Sequence, residues 1–184
     1  MIKISFILFI AIFAINILYA QQQNVAMLNA KMSEQELINK PFPNFNLLKG
    51  GIQSTNEVFK GKILYINFWF AACSPCMREM EQLNELYNTF KEDSNFVFIS
   101  ITYDAQEKIE LVKSKFEIKY TIYSIPIFES FRLNKTHSYP ANIILDKNGI
   151  IRFYETGSRA NDFLINRHFK NKVYPKIKKL LTNI

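Results

Sequence analysis

Cys73 and Cys76 are the only two cysteines in this chain of 184 residues. They lie three positions apart in the stretch WFAACSPCMREM, with Ser74 and Pro75 between them. Two thiols at this spacing can form a structural disulfide, provide half of a metal site or act as a reversible dithiol. A bridge that closes so short a loop would stabilise the fold only weakly. The surrounding elements must therefore decide between these interpretations.

The sequence on either side of the cysteines predicts a strand followed by a helix. The run KILYINFWF (62–70) is almost continuously apolar, which is typical of a strand buried on both faces of a sheet. Proline is tolerated in the first turn of a helix, so Ser74 and Pro75 can begin one. Apolar residues then recur at spacings of three and four: Met77, Met80, Leu83, Leu86 and Tyr87.

This junction would make Cys73 the reactive thiol. Unsatisfied N–H groups and the helix dipole favour an anion at the start of a helix. The thiolate is the nucleophilic form of cysteine, so a position that lowers the pKa of Cys73 makes it the attacking group. Cys76, one turn further into the helix, would be more buried and would resolve the mixed disulfide.

Alternating strand and helix patterns continue along the chain and predict an α/β fold with a central sheet covered on both faces. Asn148-Gly149 lies between two apolar runs, which is the strongest hairpin signal in the sequence. The last helix contains Pro175, which should kink or break it near Tyr174. The predicted strands are 95–102, 141–146 and 150–155, and the predicted helices are 105–118 and 160–182.

The first 20 residues have the layout of a secretory signal peptide. Lys3 precedes an apolar run, and Ala20 provides a small residue at the expected cleavage point. An uncleaved membrane anchor is the alternative, although the run is short for a membrane span. We therefore expect an exported, periplasmic protein with a signal peptide at 1–20, an N-terminal extension at 21–40 and one domain at 41–184. Outside the cytoplasm, two thiols are expected to oxidise and pair.

The composition is that of a folded domain. Hydrophobic residues make up 48% of the chain and aromatic residues 15%, which excludes a disordered protein. The formal net charge is +7, and much of the positive charge lies in the last predicted helix. We expect these basic residues to form a solvated helix face, and we expect no nucleic-acid partner.

These residues resemble those of the thioredoxin superfamily and, within it, the exported thiol–disulfide oxidoreductases of the TlpA/ResA type. The resemblance rests on Trp69, the C-x-x-C pair, Glu79 three residues after it, and the stretch YP-x-x-x-x-x-D-x-x-G that begins at Tyr139. Asn67 stands where thioredoxin has a buried Asp. The resemblance covers residues 41 to 182. It implies a thioredoxin-like fold, with a central mixed β-sheet flanked by helices, an N-terminal extension and a central insertion.

The resemblance also implies roles at the dithiol. Cys73 and Cys76 would form a redox-active disulfide, with Cys73 as nucleophile and Cys76 as resolving thiol. Glu79 would take and return the proton of the resolving thiol, as general acid–base catalysis requires.

Substrate binding would involve the residues around Pro140. The resemblance implies a cis peptide bond before Pro140, which would leave the Tyr139 backbone free to pair with an extended substrate chain. Trp69 would pack beside the dithiol, shield it and contribute to substrate binding, and a plain core position is the alternative for this residue. Proteins of this type usually act as reductants. We therefore expect exported protein thiols and disulfides as substrates, a membrane thiol–disulfide electron donor, no cofactor and a monomeric protein.

The main alternative is a copper protein. Sco-type copper proteins share this fold and use two cysteines and a distant histidine, a soft ligand set suited to copper. Here the ligands would be Cys73, Cys76 and His137. Against this, Sco-type cysteines are spaced C-x-x-x-C, and Pro140 would keep a ligand away from the sulfurs. A thiol peroxidase is indicated even less, because the usual Pro and Thr ahead of its reactive cysteine are missing. We therefore expect no metal site.

Overall fold

The computed structural model describes residues 13–18, 32–49 and 52–182. The chain divides into two compact units, Met1–Lys31 and Met32–Ile184. In the first unit, residues 13–18 form a short helix, α1, whose side chains are exposed. The rest of the predicted signal peptide and the first part of the predicted extension lie outside the described residues. Within the described ranges, no helix has the length and apolar character that a membrane crossing requires.

The second unit is built on a five-stranded mixed sheet. A separate antiparallel hairpin, β1 (Asn46–Lys49) with β2 (Ile52–Thr55), precedes it in the chain. The strands of the main sheet are β3 (Ile63–Phe68), β4 (Phe96–Thr102), β5 (Thr121–Ser124), β6 (Ala141–Leu145) and β7 (Ile151–Thr156). Their spatial order is β5-β4-β3-β6-β7. β3, β4 and β5 are parallel to one another, whereas β6 and β7 pair antiparallel.

Six helices accompany the sheet in the second unit's described part. They are α2 (Glu34–Leu37), α3 (Ser74–Phe90), α4 (Gln106–Phe116), α5 (Ile127–Leu133), α6 (Asp162–His168) and α7 (Tyr174–Thr182). A 3-10 turn at Asn56–Phe59 precedes β3, and a π-helical turn at Phe169–Val173 joins α6 to α7. The predicted architecture of a central mixed sheet flanked by helices is confirmed.

The two faces of the sheet hold two separate apolar cores, because side chains alternate along each strand. On β3, Tyr65 and Ile63 face the core under α3, α4 and the C-terminal helices. Leu64, Ile66 and Phe68 face the other core, which is covered by α2, α5 and the hairpin. Every residue of β3 is buried, as its continuous apolar run predicts.

Two local features add detail to the sequence-based expectation. Residues 32–40, predicted as part of the extension, contribute to the folded unit: Leu37 on α2 is buried, and the Asn39 N–H donates to the Ile151 carbonyl on β7. The closing helix is irregular just before Tyr174, where the sequence predicts a kink or break, but the helix does not end there. It widens into the π-helical turn just before Pro175, and this absorbs the missing N–H and the ring of the proline without ending the helix.

Candidate active site

The two cysteines lie at the start of α3 and are joined by a disulfide bond. Cys73 is the N-cap residue, and its Sγ accepts a hydrogen bond from the Cys76 backbone N–H at 3.2 Å. This N–H is one of the unsatisfied donors that every helix start provides. Cys73 as a whole residue is 5% exposed, whereas Cys76 is 1% exposed. Of the two cysteines, Cys73 is therefore the more exposed residue.

A buried carboxylate holds the loop that precedes Cys73. The Ala71 N–H donates to Asp104 Oδ2 at 2.6 Å, and Thr102 Oγ1 donates to the same oxygen at 2.9 Å. Asp104 follows β4, so this contact ties the loops after two parallel strands together. Sequence reasoning missed Asp104, although the carboxyl ends of parallel strands meet at one sheet edge and an acid directly after β4 is a recognisable signal.

Glu79 lies on the face of α3 that packs against the sheet and is 3% exposed. Asn142 on β6 donates from Nδ2 to Glu79 Oε2 at 2.9 Å. The Oδ1 of Asn142 in turn accepts hydrogen bonds from Tyr65 Oη and Asn67 Nδ2, both at 2.9 Å. Because these two donors fix the amide, its NH2 group is directed at the carboxyl of Glu79.

Burial raises the pKa of the Glu79 carboxyl above its ordinary value, because the charged form loses its hydration. The hydrogen bond from Asn142, the nearby Ser158 hydroxyl and the charges of His168 and Arg159 act in the opposite direction but do not outweigh burial. The carboxyl thus keeps its proton to a higher pH than an exposed glutamate does. A carboxyl of this kind is a candidate for exchanging a proton with a neighbouring group.

The buried polar contacts continue from Asn67 to the tryptophan. Ser100 Oγ donates to Asn67 Oδ1 at 3.4 Å, and Trp69 Nε1 donates to Ser100 Oγ at 2.7 Å. Trp69 has no exposed surface and packs in the same core as both cysteines. In this oxidised state a substrate could contact Trp69 only after a movement of the surrounding chain.

Tyr139 and Pro140 are joined by a cis peptide bond. The Pro140 carbonyl accepts from the Gly157 N–H at 2.9 Å. Among the described residues, none forms a backbone hydrogen bond with Tyr139. The Tyr139 hydroxyl and Ser130 Oγ form a hydrogen bond of 2.8 Å, which holds the ring in place.

The structure does not assemble the copper ligands that the alternative hypothesis requires. His137 adopts a positive φ of 53°, and its ring lies against Phe131 with 5.0 Å between ring centroids. Within the described ranges, no three His, Cys, Asp or Glu side chains come together as a possible metal site. Cys73, Cys76 and His137 all fall within those ranges.

The sequence of the chain matches a known protein family. The sequence profile of the AhpC/TSA family matches residues 38–154, which is more than half of the chain. The chain belongs to the AhpC/TSA family. The chain is 33% identical over 123 residues to the thiol-disulfide oxidoreductase ResA of Bacillus thuringiensis subsp. konkukian. This match covers 63% of the chain and 68% of that protein. The chain is a thiol-disulfide oxidoreductase.

Solved structures show the same fold. The crystal structure assigned to a thiol:disulfide interchange protein DsbE from Chlorobium tepidum superimposes on this AhpC/TSA family member with a TM-score of 0.67 at 19% identity, covering 78% of this chain and 97% of that one. A thiol:disulfide interchange protein of the thioredoxin family from Chlorobium tepidum TLS gives a TM-score of 0.60 at 20% identity, with the same coverage of both chains. The predicted thioredoxin-like fold is confirmed.

The raised pKa of Glu79 makes the stability of the fold depend on pH in a defined direction. The folded state binds the Glu79 proton more tightly than the unfolded state, so wild type loses stability as pH rises from the ordinary carboxyl value of 4.5 through the raised one. Glu79→Gln has no such proton. We therefore expect the free energy of unfolding of Glu79→Gln, relative to wild type, to increase across that window and to level off above it.

Urea denaturation of the oxidised protein at a series of pH values measures this difference. Glu81→Gln is the matched control, because Glu81 lies on the exposed side of the same helix. If the difference in free energy of unfolding between Glu79→Gln and wild type stays constant with pH, the Glu79 pKa is not raised in the folded protein.

Proposed function

We propose that the protein is an exported thiol–disulfide oxidoreductase that reduces disulfides of other exported proteins through Cys73 and Cys76. The observation that carries this proposal is the placement of the disulfide-bonded pair at the start of α3, with Cys73 Sγ accepting the Cys76 N–H. A donor directed at this sulfur stabilises the thiolate more than the neutral thiol. Reduction of the pair would therefore leave Cys73 as the nucleophile.

The proposed reaction begins from the dithiol and balances without a cofactor. The Cys73 thiolate attacks one sulfur of a substrate disulfide, so a bond forms between Cys73 and the substrate while the second substrate sulfur leaves as a thiolate. Cys76, once deprotonated, attacks Cys73 Sγ and releases the first substrate sulfur. Two electrons pass to the substrate, the protons of the dithiol end on the two substrate thiols, and the Cys73–Cys76 disulfide is regenerated.

Glu79 would accept the Cys76 proton in the second of these steps. It follows Cys76 by three residues, so the two side chains share one face of α3. The burial of Glu79 supports this role, because it raises the pKa of the carboxyl. A raised carboxyl pKa lies closer to the pKa of a thiol, and the two groups then exchange a proton more readily. Asn142 would act as a positioning residue, because it holds the carboxyl against the sheet.

The Tyr139 backbone would bind the substrate chain. Its lack of a backbone partner among the described residues supports this role, since an extended segment near Cys73 could pair with it. Trp69 would shield the sulfurs from behind and would contact substrate only in the reduced or complexed state.

The cellular setting of the proposal rests on the sequence. Residues 1–20 would direct export to the periplasm, where a membrane thiol–disulfide protein would return the pair to the dithiol state. Apocytochrome thiols that must be reduced before haem attachment are one suitable substrate. The protein would act as a monomer.

A reduction assay with the full-length chain tests this proposal. With dithiothreitol as electron donor, we expect the protein to accelerate the reduction of insulin disulfides, and we expect His137→Ala to retain this rate within about twofold. The copper alternative predicts the reverse: tight Cu(I) binding that falls with His137→Ala, and no acceleration by wild type. That second result would overturn the redox proposal.

A further inference from the structure

Three aromatic rings from three different loops meet next to the turn that leads to Cys73. Phe70 lies between β3 and α3, Tyr103 follows β4, and Tyr139 precedes β6. The Phe70 and Tyr103 rings are nearly parallel, with centroids 5.4 Å apart and an interplanar angle of 24°. Tyr139 meets Phe70 and Tyr103 edge-on, at 5.4 Å and 5.9 Å. We call these three rings the aromatic cluster.

The aromatic cluster is connected to Cys73 through the backbone of Phe70. The Phe70 carbonyl accepts the Cys73 N–H at 3.0 Å, so the ring and the nucleophile belong to one tight turn. Phe70 and Tyr139 both pack against the apolar core that contains the two cysteines. A substrate whose sulfur approaches Cys73 therefore comes close to the turn that carries Phe70, the first ring of the cluster.

The cluster is also held rigidly. Asp104, which follows Tyr103, accepts the N–H of Ala71, which follows Phe70, and this bond links the first two loops. The third ring is anchored by the hydrogen bond between the Tyr139 hydroxyl and Ser130. A surface that is ordered before binding loses less entropy when a partner binds.

All three rings are nevertheless partly exposed. Contiguous apolar surface on a soluble protein commonly marks a binding site, and aromatic side chains are enriched where protein partners bind. The three rings already pack with one another in stacked and T-shaped geometry, and a further aromatic ring favours offset or T-shaped contacts at similar distances. The geometry thus fits an aromatic side chain of the partner better than a small polar one.

We propose that Phe70, Tyr103 and Tyr139 form a specificity site that receives an aromatic side chain of the protein substrate, within two residues of its reacting cysteine. The proposal rests on the proposed function and adds the substrate class to it. An extended segment that pairs with the Tyr139 backbone would present its cysteine to Cys73 and an adjacent side chain to the cluster. The preferred substrates would therefore be unfolded or flexible segments with Phe, Tyr or Trp next to cysteine.

Model peptides test this inference with the full-length chain in its reduced state. Each peptide contains one cysteine capped by 2-mercaptoethanol as a mixed disulfide, and carries Phe, Ser or Arg at one of the four positions flanking it. In the reaction the dithiol is oxidised to the Cys73–Cys76 disulfide, while the peptide and 2-mercaptoethanol are both released as thiols. Fluorescence of Trp69, the single tryptophan in the chain, follows the rate.

At one flanking position or more, we expect the Phe peptide to react at least about fivefold faster than the Ser peptide. In Phe70→Gly and in Tyr103→Ser this ratio should fall below about twofold. Each ratio is taken within one protein, so it does not depend on the active fraction of a variant. Phe163→Ser, which removes a ring exposed by 72% on α6 outside the cluster, should keep the wild-type ratio.

Three results would overturn the inference: a ratio below twofold at all four positions in wild type, a ratio that survives both substitutions, or a faster reaction with Arg than with Phe. The last would indicate a cation site on the ring faces. Failure of the proposed function looks different, because wild type would then react with none of the peptides, including those with Ser.

Discussion

Cys76→Ser should accumulate as a mixed disulfide with its substrate, linked through Cys73, whereas Cys73→Ser should lose exchange altogether. The first substitution removes the thiol that resolves the intermediate but leaves the attacking sulfur at the start of α3. The second removes the nucleophile itself, and we expect that Cys76 does not replace it, because this residue is only 1% exposed. Loss of a nucleophile in enzymes commonly costs at least about 10³-fold in rate.

Mass spectrometry of each variant after incubation with a peptide disulfide distinguishes these outcomes. Cys76→Ser should carry one peptide per chain, and the adduct should be released by dithiothreitol. Ser74→Ala is the matched control, because this exposed side chain lies between the two cysteines and should leave turnover intact. A stable adduct on Cys73→Ser, with none on Cys76→Ser, would reverse the roles assigned to the two sulfurs.

Glu79→Gln should slow the resolving step at pH 7 by about 10²-fold or more, the usual range for loss of a general base. In wild type this step should accelerate as pH rises through the raised pKa of Glu79, because only the ionised carboxyl can accept the Cys76 proton. The variant should lack this rise. The difference in resolving rate between wild type and Glu79→Gln should become smaller above about pH 8.5, where a free thiol ionises without a base.

Stopped-flow fluorescence of the resolving step across pH gives both profiles. Glu81→Gln on the same helix should match wild type at every pH. If Glu79→Gln and Glu81→Gln both match wild type, proton transfer from Cys76 does not pass through Glu79.

Asn142→Leu tests whether Asn142 positions the Glu79 carboxyl or only stabilises the fold. Asn142 donates to Glu79, so its loss removes a contact that lowers the Glu79 pKa. The rise in the resolving rate should therefore shift to higher pH. A purely structural role would reduce stability, through the Tyr65 and Asn67 donors left without their acceptor, but would leave the position of the rise unchanged.

Local patterns were sufficient to predict the dithiol and its helix. The spacing of Cys73 and Cys76, the apolar strand before them and the helical periodicity after them are all properties of one short segment. The position of Glu79 relative to Cys76 was predictable for the same reason, since helix geometry fixes the distance between residues three apart.

The other parts of the site depend on residues that are distant in sequence from the two cysteines. Asp104 and the aromatic cluster combine side chains from separate loops, and their proximity follows only from the order of the strands. Asn142 left a weaker signal: it is a polar residue inside the buried run ANIILD, and it lies opposite Asn67 in the register of β3 and β6. Two asparagines at inward positions of neighbouring strands indicate a buried hydrogen-bonded pair.

The helix that closes the chain shows a different limit. Sequence predicts that Pro175 interrupts it, but not how the interruption is resolved. The π-helical turn at Phe169–Val173 keeps Phe169 and Val173 buried in the core beside α3, so packing against the sheet outweighs the tendency of proline to end the helix.

The reduction potential of the Cys73–Cys76 pair tests the central claim most directly. The full-length chain would be equilibrated in defined thiol–disulfide buffers, and the fraction reduced would be followed by Trp69 fluorescence, with alkylation as a check. We expect a potential near or below about −250 mV, at the thioredoxin end of the known range, which suits a reductase supplied by an electron-donating partner. A potential near about −120 mV, typical of a disulfide donor, would contradict the reductive function.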